Sequence, residues 1–261
     1  RLDPHERLRH ILRSLSQWHE RWAFCGASAA VMHGLDCSYR QLHPIHVAVG
    51  RNSRPRNQRY VRFHVLDDAE TVAVDGARVT SILRTLVDCA AMRPRRYAMA
   101  PIDSALRQGK TTVEQMLEYV DAIPMLRDRE RIRAVLAQGD GRVENGGESE
   151  CRAVLDELGF PVHRVQVEFP CLSHPGRVHR VDFLWERDDG TLIAGEFDGV
   201  QKYVDPLMTA GRTIRQVVDD ERDRQQCLSR RGVDMVRMFY RDLDNAQVLA
   251  YRLEQARVPR R

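Results

Sequence analysis

The sequence predicts an α/β protein in two parts. A C-terminal part has a mixed sheet flanked by helices in the order αβββαβα, and a smaller α+β part precedes it. Three observations carry this. Residues 178–185 and 191–198, rich in β-branched and aromatic side chains, flank the turn signal Asp188-Asp189-Gly190 and read as a β-hairpin. A helix and a strand precede the hairpin, and a helix, a strand and a helix follow it. Glycines at 139, 141, 146 and 147 punctuate the chain as a linker does, dividing residues 1–142 from 143–261.

In the first part, residues 3–20 predict a helix: Asp3 caps it, Pro4 suits its first turn, and Leu8, Ile11, Leu12, Leu15 and Trp18 recur at helical spacing. Residues 22–26 read as a short strand, and the small residues of 27–34 as a closely packed helix in which His33 is a core or cap histidine. Strand-like runs follow at Ile45–Val49, Tyr60–Leu66 and Thr71–Val74. Helices are expected at about 80–92, 97–107, 111–120 and 126–138, the third opened by a capping box at Thr111 and Glu114.

In the second part, a helix over 148–158 places Glu148 on the same stripe as Cys151, Leu155 and Leu158, while Glu150 falls on a more exposed face. A strand over 162–169 leads into the hairpin. There, alternation puts Val178, Arg180, Asp182 and Leu184 on one face, and Leu192, Ala194, Glu196 and Asp198 on another. A helix over about 209–231, a strand over 233–240 and a helix over 241–257 complete the chain.

Composition bounds the function. The 261 residues are 43% hydrophobic, enough for real cores, and the longest apolar runs fall far short of the roughly 20 residues that span a bilayer. No secretory signal opens the sequence. Six cysteines (Cys25, Cys37, Cys89, Cys151, Cys171, Cys227) include no CxxC pair. That spacing gives neither a zinc signature nor a dense disulfide framework, so they read as core thiols of a cytoplasmic protein. Charge is uneven: residues 1–142 carry a net +7 and residues 143–261 a net −3. A basic half beside an acidic half suits a protein that grips a polyanion with one part, or one whose surface charge is merely uneven.

Two residue groups carry candidate chemistry. Each hairpin strand sets carboxylates among apolar neighbours, where an ionised acid is costly unless paired or bound to a cation; Asp182, Glu196 and Asp198 therefore suggest a divalent metal site. Arg51, Arg54, Arg56, Arg59 and Arg62 crowd one loop and the strand after it, with Tyr60 available for stacking. They suit phosphate binding or, equally, a solvated hairpin tip.

A helix Glu, a strand Asp and a second acid 14 residues later on the next strand are the parts of a PD-(D/E)XK nuclease site. Together with Arg152, Phe183, Gly199, Lys202, Tyr203, Glu221, Arg224, Leu228, Gly232 and Arg237, they make residues 148–244 resemble the Vsr-like family of restriction-endonuclease-like domains. Gly26 to Gly34, with Val79, Thr80, Ser81, Arg84, Asp88, Asp103 and Arg107, resemble the C-terminal region of AbiE-type antitoxins. The nuclease resemblance implies that Asp182 and Glu196, with Asp198 beside them, hold Mg²⁺ or Mn²⁺. It implies that Glu148 orients water or helps bind metal, and that Lys202 offsets transition-state charge. Arg224 and Arg237 either contact phosphate or pair with the acids. The usual lysine position, two residues after the second acid, is Asp198 here.

Three readings follow. The first is a Mg²⁺-dependent endonuclease acting on DNA, with a repair partner or none. The second is a catalytically degenerate, DNA-binding regulator of the antitoxin type, with a toxin partner. The third is a protein-interaction module whose basic half meets an acidic partner.

Overall fold

The structure, a computed structural model, describes residues 2–53, 55–66, 69–172, 174, 176–198 and 214–261, with side chains from residue 222 onward in the last stretch. Arg54, Gly199, Lys202, Tyr203 and the part of the expected helix before Ile214 lie outside the described residues, as does the Glu221 side chain. The chain divides into two compact units, Arg1–Ser149 and Glu150–Arg261.

The first unit begins with α1 (Pro4–Trp18). Asp3 accepts from the Glu6 N–H at 3.2 Å, Glu6 accepts in return from the Asp3 N–H at 3.4 Å, and Pro4 fills the first turn. Leu8 and Leu12 are buried, but Trp18 is 83% exposed, so the helix buries a narrower stripe than its apolar spacing implies. The sheet comprises β1 (Ala23–Phe24), β2 (Ile45–Val49), β3 (Val61–Val65), β4 (Thr71–Val74) and β5 (Ala77–Thr80), in the order β3-β2-β1-β5-β4. β5 was not anticipated. Asp75 and Gly76 both take positive φ, the conformation a two-residue hairpin turn needs, and fold β5 back on β4. β2 and β3 are parallel, so the arginine-bearing segment between them is a crossover, not a hairpin tip.

Helices complete this unit: α2 (Gly26–Met32), α3 (Ile82–Ala90), α4 (Arg96–Arg107), α5 (Val113–Ala122) and α6 (Arg129–Leu136). Every residue of α2 is buried, as its small side chains predict. At Gly26 φ is +51°, and a Cβ would stand 2.9 Å from Met92 Cε, so this turn into the helix requires glycine. The capping box of α5 lies one residue later than expected, on Thr112 and Gln115, whose side chain reaches back to the Thr112 N–H.

A polar frame ties these helices to the sheet. Arg84 Nε donates to Asp88 at 2.9 Å, and Asp88 also accepts from the Gly26 N–H. Burial raises the Asp88 carboxyl to about 6, against the opposing charge of Arg84. His33 Nε2 meets the Thr80 carbonyl at 2.8 Å, and Thr80 and Thr85 share a hydroxyl hydrogen bond of 2.7 Å. Arg107 donates to Asp36 at 2.6 Å and to the Val143 carbonyl at 2.7 Å.

In the second unit α7 (Gly146–Glu157) leads into β6 (Arg164–Pro170), β7 (Val178–Glu186), β8 (Leu192–Asp198), α8 (Ile214–Arg230), β9 (Val233–Phe239), α9 (Tyr240–Leu243) and α10 (Ala246–Gln255). The unit boundary falls inside α7. The sheet runs β6-β7-β8-β9; the first two pairings are antiparallel and β8 and β9 are parallel. This is the expected mixed sheet with its helices. The expected final helix is split, because the Asn245 side chain accepts from the Val248 N–H and starts a new helix. Gly195 lies beneath the fully buried Trp185, whose ring would stand 2.7 Å from an added Cβ. Glu150 is buried like Glu148, against the expected exposed face.

The alternation expected along β7 also breaks. His179 and Val181 turn inward and Val178 and Arg180 outward, while Phe183, Leu184 and Trp185 are all buried. The constant β6–β7 register sets Gln166 opposite Asp182 at the point of the break, and Gln166 has φ +52°, a left-handed kink in β6.

Parallel pairing of β2 and β3 also joins His46 Nδ1 to His64 Nε2 at 2.8 Å, with Arg62 beside both. Burial, with help from His64 and Arg62, lowers His46 to about 4; burial and then Arg62 lower His64. In the unfolded chain both take up protons near 6.5. Stability conferred by the neutral pair is thus present above that pH and is lost as pH falls toward about 4. The thermal midpoint of the first unit is expected to drop between pH 7 and pH 5. His46→Gln should flatten that profile, and an unchanged slope in the variant would assign the pH dependence to other groups.

Candidate functional site

The acids of the second unit converge on the central strand β8. The pairing of Phe183 with Gly195 sets Asp182 and Glu196 at the next position along the two strands, and Glu196 faces Arg237 across the parallel pair. Asp182 Oδ2 accepts from the Phe197 N–H at 2.8 Å, which fixes its carboxylate to β8. Glu196 is only 5% exposed. It accepts from Arg224 Nη2, which comes from α8 and also donates to the Arg180 carbonyl. Asp198 pairs with Arg237 Nη1 at 3.8 Å.

The electrostatics follow from this crowding. Burial raises the Glu196 carboxyl above the usual carboxylate range, and Arg224 opposes that rise. Asp182 pushes it further up, Arg237 acts against it, and Asp198 adds to it. The structure therefore gathers five predicted site residues: Asp182, Glu196, Asp198, Arg224 and Arg237. The carboxylate oxygens are hard donors of the kind Mg²⁺ accepts, but guanidinium groups already lie against Glu196 and Asp198, and a cation at Glu196 would have to displace Arg224.

Glu148 has a structural occupation. At the start of α7 its carboxylate accepts from the Glu144 N–H at 3.0 Å and from Asn145 Nδ2, while its own N–H donates to Asn145 Oδ1 at 3.0 Å. This is a reciprocal cap on the helix N-terminus, built by the Asn-Gly-Gly stretch that reads as a linker. Lys202 lies outside the described residues.

The basic residues of the first unit stand at the surface. Arg51, Arg56, Arg59 and Arg62 are all exposed on the β2–β3 crossover and the start of β3, and Arg54 lies outside the described residues. The Arg59 guanidinium stacks 5.1 Å over the Tyr60 ring, and Tyr60 is itself exposed. Beside this crossover opens a cleft of about 640 Å³ whose lining includes Trp22, Ser53, Pro55 and Phe63, with Arg21 and Arg78 adding two more guanidinium groups. Neither of these two arginines was singled out in the sequence. They are isolated along the chain, and only the pairing of β1 with β5, Phe24 beside Val79, brings Arg21, two residues before Ala23, to the same cleft as Arg78.

Comparison with known proteins bears on this unit. The family model described as AbiEi antitoxin C-terminal domain matches residues 22–138, which makes this segment antitoxin-like. Two uncharacterized proteins of Mycobacterium tuberculosis, one from strain CDC 1551 / Oshkosh and one from strain H37Rv, are each 28% identical over 213 residues. The alignment covers 76% of this chain and 74% of each relative. No helix among the described residues is long and apolar enough to cross a membrane.

Removing Arg224 would leave Glu196 buried beside two further acids. Arg224→Ala is expected to destabilise the second unit by about 3 kcal/mol at pH 8, the scale for breaking a buried ion pair. The Glu196 carboxyl is already raised in the folded state, and without Arg224 it would rise further. Stability limited by such a group is fully present below the unfolded value and is lost as pH rises, so the penalty should shrink at pH 5. Denaturant unfolding of both proteins at the two pH values checks this; an equal penalty would show that Arg224 acts through packing alone.

Proposed function

We propose that this chain is a DNA-binding regulator of the antitoxin type, with the arginine-rich crossover of the first unit as its phosphate-gripping surface. The observation that carries the reading is the match of residues 22–138 to the antitoxin family. Two features support it. The residues that carry the antitoxin resemblance build an internal frame, leaving Arg51, Arg56, Arg59 and Arg62 exposed on that scaffold for a polyanion. In the second unit, arginines are seated against Glu196 and Asp198, which suits a site that has exchanged metal chemistry for charge balance.

A second reading keeps the Vsr-like endonuclease. One observation favours it: Asp182 and Asp198 both raise Glu196, a mutual repulsion that a divalent cation would relieve. In that reading Asp182 and Glu196 hold Mg²⁺ or Mn²⁺, which supplies Lewis-acid activation of the scissile phosphate. The chain's own groups, Arg224 and Arg237, would then turn from acids to phosphate.

One set of assays separates the readings. The regulator predicts a gel shift of duplex DNA in EDTA, tightest on the DNA upstream of its own gene and falling steeply with salt. The triple variant Arg56→Ala, Arg59→Ala, Arg62→Ala should weaken binding and reduce the log–log salt slope by about one for each phosphate contact removed. Nicking of supercoiled plasmid that needs Mg²⁺ or Mn²⁺ and vanishes in Asp182→Ala would establish the nuclease instead. Neither shift nor nicking at low salt would overturn both and leave a protein partner.

A further inference from the structure

Away from the carboxylates, three elements of the second unit bring together soft ligands that no spacing in the sequence connects. Cys171 follows the end of β6, His179 lies near the start of β7, and Cys227 lies on α8. Their sulfur atoms and one imidazole nitrogen all lie within 4.8 Å of one another. From this geometry we infer a structural zinc site in which Cys171, His179 and Cys227 are the ligands, with the exposed His174, which lies outside this cluster, able to turn in as the fourth.

Four observations support the assignment. First, the two sulfurs are 3.7 Å apart. Two thiolates bound tetrahedrally at about 2.3 Å from Zn²⁺ are separated by roughly 3.8 Å, whereas a disulfide needs about 2.05 Å. Second, His179 is only 4% exposed, and its Nε2 has no hydrogen-bond partner among the described residues. A buried imidazole nitrogen without a partner is costly, and a metal bond removes the cost. Third, the Leu172 N–H donates to Cys227 Sγ at 3.1 Å, a contact that stabilises a thiolate and fixes its direction. Fourth, His174 Nδ1 stands 3.9 Å from Cys171 Sγ, close to the roughly 3.6 Å expected for nitrogen and sulfur on one tetrahedral zinc. The turn that presents it is closed by the Cys171 N–H donating to the Arg177 carbonyl at 2.7 Å and the Arg177 N–H donating to the His174 carbonyl at 3.1 Å.

Two thiolates and two imidazoles select zinc among abundant divalent ions and reject magnesium, so this centre is chemically separate from the carboxylate cluster. It would clamp the β6–β7 hairpin to α8, the helix that also supplies Arg224 to Glu196.

The test is metal analysis of the untagged full chain, purified with reductant and without chelator. Roughly one zinc per chain is expected, lost from Cys171→Ser, His179→Ala and Cys227→Ser, and retained in Cys37→Ser in the first unit. Should the three variants fail to fold, the wild-type protein refolded with Co²⁺ decides. Thiolate-to-cobalt charge transfer and tetrahedral d–d absorption support the site, and the pink, weakly absorbing spectrum of octahedral cobalt overturns it. A wild-type protein without zinc that also fails to take up Co²⁺ overturns it, as does zinc retained by all three variants. A Cys171–Cys227 disulfide in anaerobically purified protein likewise overturns it. His174→Ala is expected to hand its zinc to a chelator faster, and an unchanged rate would remove His174 from the ligand set.

Discussion

The second unit depends on neutralising a carboxylate that its sheet buries. β8 is central, paired on both sides and covered, yet it carries Glu196 and Asp198 on its C-terminal half. An ionised acid there is tolerable only with a partner in hydrogen-bond reach. The neighbouring elements supply those partners: α8 contributes Arg224, and the parallel neighbour β9 contributes Arg237. Parallel pairing of β8 and β9 matters, because it places Arg237 directly across from Glu196. Strand order, helix position and charge balance are therefore one constraint. The same arrangement bears on the proposed function, since a cation at Glu196 would have to displace Arg224.

The first unit solves a different problem. Its sheet is covered by α2, a helix of small residues that packs closely and offers little side-chain area. Fixed polar contacts supply what apolar bulk does not: Arg84 to Asp88, His33 to Thr80, and Arg107 to Asp36. All of these residues except Asp36 are among those that carry the likeness to antitoxins. They mark an architecture, and the arginines proposed to meet a nucleic acid lie outside them on the crossover and cleft. A shared framework with separately variable surface residues is the usual way a fold acquires a binding role.

Much of this was legible in the sequence. The Asp-Gly turn announced the β7–β8 hairpin, Asp3 and Pro4 announced α1, and the acids were found because carboxylates among β-branched residues demand an explanation. What was illegible depended on tertiary neighbours. Four residues, Ala77 to Thr80, gave no alternation long enough to reveal β5. Nothing in the composition of residues 50–60 could say that β2 and β3 run parallel. Glu148 lay on an apolar stripe that suggested a catalytic role, while its bonds to Glu144 and Asn145 show a helix cap. Cys171 and Cys227 are 56 residues apart with two histidines between them, a pattern without a sequence signature; only the packing of α8 on the hairpin brings them together.

The crossover between β2 and β3 has a consequence for how this protein can change over time. Five consecutive pairs, from Ile45 with Val61 to Val49 with Val65, anchor both ends of the segment from Gly50 to Tyr60. The entropy of closing such a loop grows only logarithmically, so doubling its length costs about 0.6 kcal/mol. Insertions and exchanges of arginine there thus cost folding little, whereas deletions are limited by the length a parallel crossover must span. Under the proposed DNA-binding reading, target preference can drift between lineages in this one segment while the core remains under unchanged selection.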